Sequence, residues 1–430
     1  MFKALALTGN VIVVNVNYRV GPFGYLYMDH EDAPGNMGML DQQMALYWIR
    51  DNIFNFGGNP SRMTVFGESA GAASIVAHLI APASKGLDTD IFLELFLLFR
   101  NGILQSGSLD NKWSMDTPKR AKDKANQLAT LVGCNRTEVK ETIACLRNVP
   151  AVQLVENIWS LDLAFLEFPF VIVSRLFHEG LFETCISLLI ICFRDRNFFR
   201  HKDGFSSLRT GQYSHNVNLM FGINHDEGNF WNIYNLADYF DKTEQPELNR
   251  HEFFDCVERA FSTQPDLVRS AAKFVYSDPN CTDPNQRTQF YAEQVNQMVG
   301  DYFFTCDSLW LADQIPGSGH AGRIYIYYFD QPSSANPWPK WTGVMHGYEI
   351  EYVFGVPIYN ETAGYTKREQ ILAEKIMQYW SSFATTGYGI NNMNYIFKLK
   401  HNSQLCRVPR LKDGKASDMW PEYDGVNKTK

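Results

Sequence analysis

The 430-residue sequence has no long hydrophobic run, no excess of positive charge and few cysteines. A membrane-spanning helix needs about 20 consecutive apolar residues, and the closest run, 185–193, is too short. The net charge of −8 disfavours nucleic acid as a partner, because phosphate binding needs a basic surface. The eight cysteines include no Cys-x-x-Cys pair, so no metal site is predicted. An ordinary globular protein remains, with two or three domains or one large α/β domain.

The pattern of apolar residues predicts a wound α/β sheet. The start does not resemble a secretory leader, since its short apolar run leads directly into VIVVNVN at 11–17. That near-continuous run predicts a strand buried on both faces. Further strands are predicted at 63–66, 102–108, 218–223 and 323–329, and helices at 40–56, after residue 69 and near 290–315. Strands that alternate with helices are typical of a parallel sheet covered by helices.

One serine lies at the junction of a predicted strand and a predicted helix, in TVFGESAGAAS at 64–74. The segment from Gly67 to Gly71 fits the pattern G-x-S-x-G, in which small neighbours permit a sharp turn that exposes the serine oxygen. The following helix directs its first N–H groups beside that oxygen. We therefore predict Ser69 as a nucleophile and the Ala70 N–H as an oxyanion donor. A purely structural glycine-serine turn is the alternative.

A serine nucleophile needs a base, and the base needs an acid behind it. In α/β sheets with this turn the chain order is serine, then acid, then histidine. Ten histidines compete, and His346 is favoured because it lies between two glycines in GVMHGYEIEY. Asp226, Glu227 and Asp301 all remain open as the acid. The first two follow the predicted strand at 218–223, where catalytic loops of such sheets lie.

Longer segments carry a family resemblance. They are NYRVGPFGYL at 17–26, the stretch from APGNMG to GESAGAAS at 33–74, GINHDEGNFWNIY at 222–234, WPKWTGVMHGYEIEYVFGVP at 338–357 and YWSSFATTG at 379–387. Together they resemble the type-B carboxylesterase and cholinesterase family. The resemblance implies one α/β-hydrolase domain over 1–430, with a central, mostly parallel sheet flanked by helices. It implies the triad Ser69, Glu227 and His346, an acyl-enzyme, and no cofactor.

The resemblance also implies a substrate, a choline ester such as acetylcholine, and residues that bind it. Phe230, Tyr234 and Trp338 correspond to aromatics that hold the cation through their ring faces, and Glu68 corresponds to a buried acid near it. Trp231 lies beside the acyl group in this reading, and Trp113, Leu166 and Phe168 limit its size. Core packing is the alternative for each ring, because aromatic residues make up 14% of the chain.

The cysteines and sequons favour a secretory compartment under the same resemblance. Cys134 and Cys145 match a short-loop disulfide, and Cys306 matches a cysteine whose partner lies in a C-terminal stretch that this sequence does not reveal. Cys256 and Cys281 have no assigned partner. Glycosylation sequons start at Asn135, Asn280, Asn360 and Asn427. We expect a protein that is secreted or on the extracellular face of the plasma membrane, dimeric or bound to an anchoring subunit through a C-terminal region.

The sequence departs from the family pattern in two ways. Family members begin well before residue 1 with the first strands and a Gly-rich oxyanion loop, and no His-Gly-Gly-Gly stretch occurs here. We therefore expect a domain that is incomplete at both ends. The segments 88–98, 175–193 and 389–418 interrupt the pattern and are interpreted as translated non-coding sequence, with genuine surface insertions as the alternative. A broad carboxylesterase, a non-catalytic adhesion module and an inactive fragment remain as rival functions.

Overall fold

The computed structural model describes residues 2–81, 98–109, 111–173, 213, 216–277, 284–317 and 322–388. The proposed insertions at 175–193 and 389–418 lie outside these residues, as does 88–98 except for the buried Leu98.

Within the described residues, the strands are Tyr27–His30 (β1), Ala33–Pro34 (β2), Thr64–Glu68 (β3), Asn101–Gln105 (β4), Met115–Asp116 (β5), Ile172–Val173 (β6), Asn218–Asn224 (β7) and Ile324–Phe329 (β8). The helices of the first half are Phe2–Gly9 (α1), Gly21–Tyr25 (α2), Met37–Asn52 (α3), Ala70–Ile80 (α4), Pro118–Leu131 (α5), Val139–Leu146 (α6) and Ala151–Asn157 (α7). Those of the second half are Glu227–Asn235 (α8), Ala237–Phe240 (α9), Arg250–Ala260 (α10), Asp266–Tyr276 (α11), Pro284–Gly300 (α12), Cys306–Gly317 (α13), Ile350–Val353 (α14), Val356–Tyr359 (α15) and Lys367–Thr386 (α16).

The central sheet of the described residues has four parallel strands in the order β3-β4-β7-β8. Each is one of the strands predicted from sequence, so the prediction of a wound parallel sheet is confirmed. The pairing runs without a register shift, from Thr64 opposite Asn101 to Glu68 opposite Gln105 in the first pair. All four strands end at the same edge, and the functional side chains follow these ends.

The strands of this sheet bury side chains on both faces. Ile103, Met220 and Tyr327 point into a core cluster under helix α16. Their neighbours Leu104 and Phe221 belong to the larger cluster on the opposite face. Because successive side chains of a strand alternate between faces, the sheet lies between two layers of helices.

The edge strand β3 is more exposed than its neighbours. All five of its residues are half-buried, whereas every residue of β4 and β7 is buried. Among the described residues β3 pairs only with β4. Beside its free edge lies a groove of about 820 Å³, whose other wall includes the segment 10–16.

The strand predicted at 11–17 is wrong for the described structure. This segment is in no strand or helix, and Ile12 and Val14 are 47% and 42% exposed. The physical reason is that a strand exists only where a neighbour completes its hydrogen bonds. No ladder joins the valines to another described segment, so an apolar β-branched run alone was insufficient.

The predicted helices are present with shifted boundaries. The helix predicted at 40–56 begins earlier, at Met37, and its last turn, Ile53–Phe56, is a 3-10 helix. The helical region near 290–315 comprises α12 and α13, joined by a π-helical turn at Asp301–Thr305. That turn carries Phe304, whose ring contacts the imidazole of the site described below.

Candidate active site

Ser69 lies between the end of β3 and the start of α4 with a strained backbone. Its φ of 56° and ψ of −114° lie in a region that residues other than glycine rarely adopt. A Cβ on Gly67 would lie 2.7 Å from the carbonyl carbon of Gly71, so Gly67 is required for the turn. A Cβ on Gly71 would meet no atom within 4 Å. The expectation that both glycines prevent a collision is therefore wrong for Gly71 in the described residues.

Ala70 begins helix α4, so its N–H is one of the first-turn groups without a partner inside the helix. Ala70 is exposed and Ser69 is half-buried, and both lie at the carboxyl edge of the sheet. A Cβ on Gly107 would be 2.6 Å from the carbonyl oxygen of Ser69, so a second glycine permits the close approach of the neighbouring loop. The role of the Ala70 N–H as an oxyanion donor stays a prediction.

His346 and Glu227 are brought together by the loops that follow β8 and β7. The His346 Nδ1 lies 2.7 Å from Glu227 Oε2, and both side chains are buried. Glu227 Oε1 accepts a hydrogen bond of 2.8 Å from the Asn224 N–H, which fixes the carboxylate. An acid that holds Nδ1–H leaves Nε2 as the basic nitrogen, which is the arrangement that a general base requires.

The other two acidic candidates have different partners. Asp226 bonds the backbone of the loop before His346 through Val344. Asp301 accepts a hydrogen bond of 3.0 Å from the Tyr276 hydroxyl in the interior, where burial raises the pKa of this aspartate to about 6. Of the three acids that sequence reasoning left open, only Glu227 contacts the imidazole among the described contacts.

The second nitrogen of His346 faces Glu68 in this structure. Nε2 lies 3.1 Å from Glu68 Oε1, although the two atoms are not aligned for a hydrogen bond. His346 Nε2 has no hydrogen-bond partner among the described residues. The structure thus joins the buried Glu227 and His346 and the half-buried Glu68 into one cluster, with the imidazole directed at the carboxylate of the residue before Ser69.

The electrostatics of this cluster favour a bound proton. Burial disfavours charge on His346, but Glu68, together with the hydrogen-bonded Glu227 and Glu349, outweighs it and raises the pKa of His346 to about 9. Burial raises the pKa of Glu68 to about 8, with the charge of His346 acting in the opposite direction. The imidazole and this carboxylate therefore titrate as a coupled pair near the top of the physiological pH range.

Glu349 is a component of the cluster that the sequence reasoning missed. It is almost fully buried, accepts 2.9 Å and 2.6 Å hydrogen bonds from Gln105 and Asn224, and has a pKa raised by burial. Its position three residues after His346 was a usable signal, since one turn brings such a residue back to the same side. Glu349 links the sheet strands β4 and β7 to the loop of the base.

Aromatic rings surround the imidazole. The centroids of Phe304, Trp231 and Phe230 lie 4.5, 5.4 and 6.4 Å from that of His346. Phe304 was not anticipated from the sequence, because it reaches the site only through the π-helical turn. His346 is buried beside these rings, so its imidazole lies in low-dielectric surroundings.

Five of the predicted substrate-binding rings form one chain of contacts. Phe168 lies 5.5 Å from Trp231 and 6.4 Å from Trp113, and Phe230 lies 5.2 Å from Tyr234. Tyr234 is 60% exposed, so it marks the outer end of this group.

Trp338 and Leu166 behave differently. Trp338 is half-buried and has no ring contact with that group among the described residues. Leu166 is buried with a φ of 52°, in the left-handed region, on the loop that carries Phe168. The roles of these side chains in substrate binding stay predictions.

The cysteines and sequons can be located in part. Cys134 and Cys145 form a disulfide bond, as the resemblance implied. Cys306 is also disulfide-bonded, and Cys256 is a buried free thiol. Cys281 and the sequons at Asn280 and Asn427 lie outside the described residues, whereas Asn135 is exposed and Asn360 is half-buried.

No described helix combines the length and apolarity that crossing a bilayer demands. In the part of the chain that the structure describes, no three His, Cys, Asp or Glu side chains are grouped so as to hold a metal ion.

Comparison with known proteins identifies the class to which this arrangement belongs. Residues 2–429 match the carboxylesterase family, so the chain is a member of that family. The predicted α/β-hydrolase fold is thereby confirmed.

Two relatives within this family are similar to the chain over most of its length. The chain is 53% identical to acetylcholinesterase 4 of Caenorhabditis briggsae over 99% of its own length and 64% of the relative's. It is 34% identical to the acetylcholinesterase of Bungarus fasciatus over 90% of its own length and 57% of the relative's. The chain thus spans roughly three fifths of the length of the relatives that it matches.

Proposed function

We propose that the protein is a serine esterase that hydrolyses choline esters, acetylcholine first, through an acyl-enzyme. The observation that carries this proposal is the contact of 2.7 Å between His346 and the buried Glu227, beside a serine held in a strained turn. The identity of 53% to an acetylcholinesterase supports the substrate class. Disulfides and the exposed sequon at Asn135 support an extracellular location, and dimeric or anchored assembly remains part of the same proposal.

In the proposed reaction, His346 takes the proton of the Ser69 hydroxyl as its oxygen attacks the ester carbonyl. Glu227 holds the imidazole in the required tautomer and stabilises the imidazolium. The Ala70 N–H donates to the oxyanion, and the alcohol leaves with the proton from His346. Water then attacks the acyl-serine by the same relay and releases the acid.

A second candidate, a chain with very low turnover, is favoured by one specific observation. His346 Nε2 faces Glu68 rather than Ser69, so the imidazole must be released from this carboxylate before it can act as a base.

Labelling with a fluorescent organophosphonate tests the nucleophile. We expect Ser69 to be modified slowly, Ser69→Ala not at all, and Glu227→Gln about 10,000-fold more slowly than the parent. Mass spectrometry of the labelled peptide identifies the site. Rapid labelling would contradict the low-turnover candidate, and labelling that persists in Ser69→Ala would contradict the esterase mechanism.

Substrate class is tested by a pair of esters. Acetylcholine and the isosteric neutral ester, with carbon in place of the quaternary nitrogen, differ only in charge. We expect kcat/KM for the cationic ester to be higher by about 2- to 30-fold, which corresponds to about 0.5–2 kcal/mol of cation–π attraction at the rings of Phe230 and Tyr234. Equal values would favour a broad carboxylesterase.

A further inference from the structure

Asp226 is hydrogen-bonded to the loop that carries His346 through both its backbone and its side chain. The Asp226 N–H donates to the Val344 carbonyl at 2.9 Å, and the Val344 N–H donates to Asp226 Oδ2 at 2.8 Å. Asp226 also forms an isolated parallel bridge with Met345, the residue directly before His346. The two hydrogen bonds with Val344 fix the direction in which the chain enters the site.

The loop is shaped to receive this carboxylate. Gly343 has a φ of +64°, and a Cβ at this position would lie 2.1 Å from Asp226 Oδ2. Only glycine leaves room for the carboxylate to lie against the loop backbone and reach the next N–H. The glycine before the base, which the sequence analysis noted only as a sign of a loop, is therefore matched to Asp226.

The other carboxylate oxygen of Asp226, Oδ1, is contacted by Asn296 and His225. Asn296, buried on α12, donates from Nδ2 to Asp226 Oδ1 at 2.9 Å, and His225 Nδ1 lies 2.9 Å from the same atom. Asn296 Oδ1 is buried and has no hydrogen-bond partner among the described residues. The side chain of Asp226 thus connects a rigid helix to the loop of the base.

We propose that Asp226 is a positioning residue, whose carboxylate fixes residues 343–345 so that the His346 imidazole stays in contact with Glu227. The expected effect on turnover rests on the proposed esterase function, since positioning of the imidazole affects turnover only if His346 is the base. Asp226 itself touches neither the imidazole nor Ser69 among the described contacts. The two adjacent acids therefore have different roles in this proposal: Glu227 orients the imidazole ring of His346, and Asp226 orients the backbone of the loop that carries His346.

The test compares Asp226→Ala with a matched variant, Glu369→Ala. Glu369 is buried and Asp226 is half-buried, but both bind backbone N–H groups: Glu369 accepts hydrogen bonds of 2.6 Å from the N–H groups of Ser334 and Thr366. We expect Asp226→Ala to lower kcat by about 10- to 100-fold, because a base displaced by about 1 Å loses that much, with KM unchanged. Glu369→Ala is expected to lower the melting temperature without changing kcat.

Asp226→Asn separates loop binding from overall loss of structure. The amide oxygen of the new asparagine can still accept a hydrogen bond from the Val344 N–H. Its NH2 group can donate to Oδ1 of Asn296 once the side-chain amide of Asn296 has rotated by about 180°. We therefore expect Asp226→Asn to retain kcat within about 3-fold of the parent. If Asp226→Asn falls as far as Asp226→Ala, the loop-binding role is refuted.

A readout independent of turnover distinguishes this inference from the proposed function. In protein labelled with ¹⁵N-histidine, and assigned with His346→Gln, the titration midpoint of His346 reports its contact with the carboxylates that face it, Glu68, Glu227 and Glu349. Asp226→Ala is expected to lower this midpoint, whereas Glu369→Ala leaves it unchanged. An unchanged midpoint in Asp226→Ala overturns the inference. A parent protein that shows the shift but hydrolyses no ester refutes the esterase and leaves the positioning role standing.

Discussion

The carboxylate of Glu68 is expected to control the pH at which His346 becomes a base, and Glu68→Gln tests this directly. Glu68 Oε1 lies 3.1 Å from His346 Nε2, the nitrogen that must accept the serine proton. Glutamine has nearly the same size and removes only the charge. Because a general base must be neutral to act, activity should rise with pH through the pKa of the imidazole.

The expected size of the effect follows from the distance and the surroundings. At an effective dielectric constant of about 20, opposite charges 3.1 Å apart attract by roughly 5 kcal/mol. The actual effect is smaller, because burial raises the pKa of Glu68 to about 8 and the two groups share protons. We expect the midpoint of the pH–activity curve, near 9 in the parent, to fall by at least one pH unit, which corresponds to a gain in neutral imidazole at pH 7 of about tenfold or more.

The assay is kcat/KM for a neutral ester between pH 5 and pH 10, so that loss of charge near a cationic substrate does not confuse the result. Glu351→Gln is the matched control, because this half-buried glutamate lies five residues after His346 but accepts a hydrogen bond from the Tyr365 hydroxyl instead of facing the imidazole. It should leave the midpoint unchanged. A midpoint in Glu68→Gln that equals or exceeds the parent value would refute the electrostatic reasoning.

Three further predictions concern the turn, the disulfide and the ring nearest the base. Gly67→Ala should abolish labelling of the serine and lower the melting temperature, because the new Cβ would lie 2.7 Å from Gly71. Gly71→Ala should be tolerated, because its Cβ would meet nothing within 4 Å. Equal melting temperatures of the two variants would contradict this reasoning. Cys134→Ser should lower the free energy of unfolding by about 3 kcal/mol, measured by urea denaturation, and reductant should then have no further effect on that loop. Phe304→Ala should raise kcat/KM for butyryl relative to acetyl esters by roughly 10-fold, because the ring lies 4.5 Å from the imidazole; an unchanged ratio would place Phe304 outside the acyl site.

The strands of the central sheet could be predicted because their signal is local. Residues 219–223 are apolar except for Gly222, residues 324–329 are apolar or aromatic throughout, and both segments lie in parallel strands. The same signal failed at 11–17, where the run is equally apolar but no described segment completes a ladder. Side-chain pattern predicts the ability to form a strand, whereas pairing depends on what lies alongside.

The choice of the acidic residue shows more clearly what could not be predicted from the sequence. Asp226 and Glu227 are adjacent in sequence and both follow the strand, so chain position could not separate them, and only the family resemblance favoured Glu227. In the structure the choice is made by the loop 343–346, more than 110 residues away, which places its backbone against Asp226 and its imidazole against Glu227. Likewise, Phe304 enters the site through a π-helical turn that helical periodicity does not reveal.

The half-buried edge of β3 links association to reactivity. Among the residues that the structure describes, β3 has a paired neighbour on one side only, and a strand edge without a neighbour carries N–H and C=O groups that can pair with an extended segment. Here the strand is only five residues long and Ser69 directly follows its last one. Whatever occupies that edge, whether another segment of polypeptide or a second molecule at high concentration, comes to lie beside the serine hydroxyl, so aggregation state and esterase rate should vary together.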